Sequence, residues 1–83
     1  MKPFKIRTMN SIYELDQVGL WQNGMLYMTA EDIEFIGSVK EVMGDYSPSL
    51  PEVGEMLLVT GNKLTGKYGG LRTSLVEEII SNG

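Results

Sequence analysis

The sequence predicts an all-β fold: a small SH3-like barrel or strongly bent antiparallel sheet of six to seven short strands, with at most one short helix. Three observations carry that prediction. In the opening segment Phe4, Ile6 and Thr8 alternate with Lys5, Arg7 and Met9, the period of a half-buried strand. Asn23-Gly24 lies between two apolar stretches, the pair best suited to the positive backbone angles of a tight hairpin turn. Turn-forming residues then recur about every 8–12 positions, the spacing of small barrels and sandwiches. At 83 residues the SH3-like barrel is the economical form, and in it the first and last strands commonly lie close together.

Each element follows from local chemistry. Residues 3–9 form a strand with a cationic outer face, and Asn10-Ser11 a turn or bulge. Residues 11–16 resume as a strand with Tyr13 and Leu15 on one face and Ile12 and Glu14 on the other; residues 16–19 break it. Residues 19–22 and 25–29 are the two arms of the hairpin, with Trp21 and Tyr27 as their large side chains. Thr29-Ala30-Glu31-Asp32 has a hydroxyl followed by acids, the pattern of a helix start. Gly37 and the β-branched Ile33, Ile36 and Val39 follow so soon that one helical turn and a plain strand fit equally well.

Residues 38–43 read as a strand ended by Gly44-Asp45. Residues 45–54 hold two of the three prolines and form an extended surface loop, because proline donates no bond to a sheet ladder. Residues 56–60 and 71–80 are the closing pair of strands. The glycine-rich loop between them carries Lys63 and Lys67, and Arg72 opens the last strand.

Composition bounds what such a chain can do. One domain spanning 1–83 is expected, since this length leaves no room for two cores. There is no cysteine, hence no disulfide and no thiolate metal site. A core this small without staples gains stability by oligomerising, and a homo-oligomer is the expectation. No apolar stretch approaches the ~18 residues of a membrane span, and the basic start lacks the apolar core of a signal peptide. The net charge of −4 argues against polymeric nucleic acid as a partner. That charge is uneven: cations sit at the start and in the late loop, while nine acids between Glu14 and Glu55 face only Lys40. If the first strand meets the late loop, a basic patch results; otherwise two solvated faces of opposite sign.

Residues 61–67, GNKLTGK, match the opening of the phosphate-loop pattern G-x-x-x-x-G-K-[ST]. Tyr68 stands where magnesium coordination needs a hydroxyl, and Gly69-Gly70 follows in place of a helix. The loop is therefore expected to need glycine for its backbone angles, and not to serve a nucleotide triphosphatase. A weaker idea survives. Lys67, Arg72, Thr73 and Ser74 are groups that an anion would want, with Arg7 and Tyr68 as outlying members, and Tyr68 or Trp21 could stack on a base. The competing reading of Trp21 is a core or interface anchor. The methionines read as core filling, or alternatively as an adaptable interaction surface. Histidine is absent, so nucleophile–histidine pairs cannot form within the chain. The acids Glu31, Asp32, Glu34, Glu77 and Glu78 have no spacing that fixes a metal geometry. No enzyme activity, metal or cofactor is expected.

Two stretches carry a resemblance. TMNSIYELD, residues 8–16, and GGLRTSLVEEI, residues 69–79, resemble the start and end of a family of very small proteins found mostly in phages and prophages. Its first strand follows T-x-N-S-x-Y-x-x-D, matched by Thr8, Asn10, Ser11, Tyr13 and Asp16. Its last follows R-T-S-x-V-x-x-I, matched by Arg72, Thr73, Ser74, Val76 and Ile79, with Leu75 where proline is commoner. The resemblance implies a viral accessory protein in the cytoplasm of a host cell, one that blunts a host defence. Joined to the cation and hydroxyl cluster, it gives the leading expectation: sequestration of a nucleotide-type or other small phosphorylated signal by Lys67, Arg72, Thr73 and Ser74, where subunits meet. The alternatives are an inhibitor that binds a host protein through a hydrophobic or acidic patch, and a structural role in the phage particle.

Overall fold

Seven antiparallel strands and one short 3-10 turn make up the described part of the chain, residues 2–39, 49–61 and 70–82 of a computed structural model. The strands are β1 (Phe4–Thr8), β2 (Ile12–Leu15), β3 (Gly19–Gln22), β4 (Met25–Thr29), β5 (Ile33–Val39), β6 (Met56–Gly61) and β7 (Leu71–Ser81), with the turn at Ala30–Asp32. They form one sheet in the order β4-β3-β2-β1-β7-β6-β5, curled into a half-barrel.

A short connection forces the curl. β4 and β5 stand at opposite ends of the order, yet only the three-residue 3-10 turn separates them. Four residue steps reach at most about 14 Å. In a flat sheet six strand spacings would hold the two edges about 29 Å apart. The sheet must bend, and its concave side becomes the core. Ile6, Leu20, Met28, Leu57, Val59 and Val76 are its most deeply buried side chains.

The expected adjacency of first and last strands is present: β1 pairs antiparallel with β7, Ile6 opposite Ile79 and Arg7 opposite Glu78. β7 is long because it serves both halves. Its opening residues pair with β6 and its remainder with β1. Where it passes from one ladder to the other, Thr73 and Ser74 face Leu57 alone, between the pairs Leu58↔Arg72 and Met56↔Leu75. That extra residue is a β-bulge, which bends a strand and raises its twist.

The hairpin forms as its turn residues demand. Asn23 has φ 51° and Gly24 φ 81°, and the arms are Gly19–Gln22 and Met25–Thr29. The segment after it contains both forms that the sequence left open, a single 3-10 turn and then a strand. Thr29 precedes the 3-10 turn but makes no side-chain cap, and β5 begins at Ile33, five residues before the expected strand at 38. β-branched residues at 33, 36 and 39 favour the extended chain once the turn has reversed it. The second half of that expected strand, with residues 40–48, lies outside the described residues. Ser49 and Leu50 run along β5: the Ser49 amide donates to the Ile36 carbonyl, and its Oγ accepts from the Ser38 amide at 2.9 Å.

For Trp21 and the methionines the sequence left core and surface readings open. Trp21 is absent from the core and lies half-buried on the convex face, opposite in direction to Leu20. Of the methionines, Met28 fills the core while Met9 and Met25 are 71% and 76% exposed. No helix among the described residues is long and apolar enough to cross a membrane.

Candidate functional site

The sequence-predicted anion cluster divides among different environments. Lys67 and Tyr68 lie outside the described residues. Thr73 faces inward, 3% exposed; its Oγ1 accepts the Leu57 amide at 2.9 Å and donates to the Ser74 carbonyl at 2.7 Å. Those bonds repair the β6–β7 ladder at the bulge, where Leu57 has no register partner on β7. The Ser74 hydroxyl accepts from the Asn10 side-chain amide at 3.0 Å. Arg7 is an outer-face cation, but its guanidinium meets Glu77 and Glu78 on β7. The Glu77 and Glu78 hydrogen bonds, in that order, raise its already high pKa further. Arg72 is exposed and has no ion pair among the described residues.

The two motif stretches meet in space, where β1 pairs with β7 and a side-chain bond joins them. Asn10 bridges to Ser74 across β1 and β7. Thr8 and Ser11 close the β1–β2 turn: the Thr8 amide donates to the Ser11 carbonyl, and the Ser11 amide to Thr8 Oγ1. The Ser11 hydroxyl accepts from the Asn23 amide group at 3.3 Å, tying that turn to the hairpin. Tyr13 lies in the core with its hydroxyl accepting from Gln22.

A different surface carries a more organised set of groups. On the convex face one row crosses four strands: Lys5 on β1, Glu14 on β2, Trp21 on β3 and Leu26 on β4, each directly opposite the next. Ile12 lies beside this row, 40% exposed. Lys5, Ile12, Glu14, Trp21, Asn23 and Gly24 line a shallow cavity of about 410 Å³. Asp16 fixes the tryptophan within it. One carboxylate oxygen, Oδ1, accepts the indole N–H at 3.0 Å, the Val18 amide at 2.9 Å and the Gly19 amide at 3.1 Å. The Trp21 bond is the largest cause holding the Asp16 pKa below the ordinary carboxylate value, and the two amides add to it. At neutral pH an ionised Asp16 locks the indole ring in one orientation.

Trp21 stands out in the sequence, but its setting does not. Asp16 was legible as a turn residue; that it also holds a tryptophan five positions on depends on β2 and β3 lying side by side. Alternation along β3 carried the missing signal: with Leu20 inward, Trp21 must point outward.

Comparison with known proteins yields no significant match to a family model, a curated protein or a solved structure.

Proposed function

We propose that this chain is a non-catalytic binding protein that docks onto another protein through the convex face of β1–β4, with Trp21 as its anchor. The observation that carries the reading is the position of Trp21: outside the core, oriented by Asp16, and bordered by the exposed Ile12 and Leu26. A large aromatic ring whose rotamer is already fixed loses little further entropy on binding, and tryptophan is over-represented among residues that dominate interface energetics. The resemblance to small phage proteins supplies the biological reading, an accessory factor that inhibits a host defence protein. The test is retrieval of partners from lysate of a bacterial host by the immobilised full chain. A partner retained by wild type and by Val53→Ala, in an exposed loop residue, but lost with Trp21→Ala supports the proposal. Identical retrieval by all three overturns it.

A second reading keeps one specific support. Arg72 is exposed at the head of β7, directly after the segment that carries Lys67 and Tyr68, and no described acid neutralises it. A small phosphorylated ligand held there would stabilise the fold by mass action, about 2.7 kcal/mol at a hundredfold excess over Kd. A panel of nucleotides and cyclic dinucleotides should then raise the melting midpoint, and Arg72→Ala should remove the shift. An unmoved midpoint across the panel counts against this reading.

A further inference from the structure

The docking face has an electrostatic character that its apolar residues conceal. Trp21 is bracketed by two carboxylates. Glu14 is its direct cross-strand neighbour, and Asp16 accepts its N–H. A carboxylate on the indole N–H pushes electron density into the ring and strengthens its attraction for a cation above the face. Glu14 is exposed and forms no ion pair among the described residues, so its charge is available. Lys5 lines the same cavity but belongs to β1, two strands or about 10 Å of backbone from Trp21, with Glu14 between them.

We infer that this cavity receives an arginine side chain of the protein partner, its guanidinium stacked on Trp21 and paired with Glu14. The inference rests on the docking reading and names the chemistry of its central contact. Three features select this occupant. A phosphate would meet the Glu14 carboxylate in the lining, with the Asp16 carboxylate behind the indole, against Lys5. A quaternary ammonium group calls for a cage of several rings, whereas Trp21 is the single aromatic residue lining the cavity among the described residues. A guanidinium is flat enough to lie on one ring while its edge donates to a carboxylate alongside. The volume of about 410 Å³ admits such a side chain. The net charge of −4 also favours a basic partner during encounter.

The test uses the full chain and a blocked Gly-Arg-Gly tripeptide, read through the emission of Trp21, the single tryptophan in the sequence. Peptides with lysine or citrulline in place of arginine, and adenosine monophosphate, serve as comparisons. A saturable change with the arginine peptide is expected, several-fold weaker with lysine and absent with citrulline. Glu14→Gln should weaken binding about fivefold, as loss of an exposed charge partner does. Lys5→Ala should tighten it by removing the opposing cation, and added salt should weaken it. Emission that changes linearly with peptide, equal responses to arginine and citrulline, or saturation by adenosine monophosphate alone would each overturn the inference. If Trp21→Ala abolishes partner retrieval while the arginine peptide fails to bind, the docking face stands and the arginine assignment falls.

Discussion

Replacing Thr73 with valine tests the account of the bulge in β7. The two side chains have similar shape, and hydrophobicity alone predicts that valine at a site only 3% exposed should stabilise the fold. The burial gained by exchanging a hydroxyl for a methyl group is worth about 0.8 kcal/mol. Against it stands the Leu57 amide, which donates to Thr73 Oγ1 at 2.9 Å in a residue with no solvent exposure. Leaving a buried donor without an acceptor costs about 1–3 kcal/mol. The Ser74 carbonyl loses its bond as well, though a second lone pair softens that loss. The balance is a net destabilisation of about 1–2 kcal/mol, which for a domain this size lowers the melting midpoint by about 4–16 °C. Urea unfolding followed by Trp21 emission measures it directly, and amide exchange at Leu57 should accelerate. A Thr73→Val protein with a midpoint at or above wild type, and an unchanged dependence on urea, would refute the reasoning. The sign alone decides, because burial and hydrogen bonding pull in opposite directions.

Two other expectations can be checked with the same readout. A Cβ at Gly19 would lie 2.2 Å from the Met28 carbonyl oxygen and 2.8 Å from the Thr29 Cα, both backbone atoms that cannot swing aside. Gly19→Ala should therefore destabilise by about 2–3 kcal/mol in chemical denaturation, and a cost under about 0.5 kcal/mol would show that β4 yields easily. Asp16 has a depressed pKa, so its contribution to stability is fully present above the unfolded value of about 3.9 and is lost as pH falls through the lower folded value. Trp21 emission should stay constant from neutral pH down to about 5 and shift only in stronger acid, while Asp16→Asn should reduce that acid-range change. A shift centred near neutrality would mean that another group positions the indole.

Much of the fold was legible because its signals are local. Alternation fixed the faces of β1 and β2, and Asn23-Gly24 placed the hairpin with its arms at the observed residues. The start of β5 was harder to read. The acids after Thr29 mark a reversal of the chain, and the same pattern opens true helices, so a helical turn and a strand both fitted a stretch that holds first one and then the other. The candidate site was less legible because its chemistry is cross-strand. Thr73 and Ser74 looked like free hydroxyls, yet a bulge and an asparagine 64 residues away already engage them. Trp21 reads from its type as a core or an interface anchor. Only the register of β2 against β3, with Glu14 opposite and Asp16 at the indole nitrogen, makes it a surface platform.

The division of β7 between two ladders bears on how the chain comes apart. The two halves of the sheet lose their connection if this strand leaves, since β1 and β6 each hold one of its flanks. Fraying at β4 or β5 therefore leaves the other ladders paired, whereas opening at β7 parts the two halves and exposes the core between them. Slowly exchanging amides should accordingly concentrate along β1, β6 and β7, and the free energy that protects them should equal that of unfolding the whole molecule.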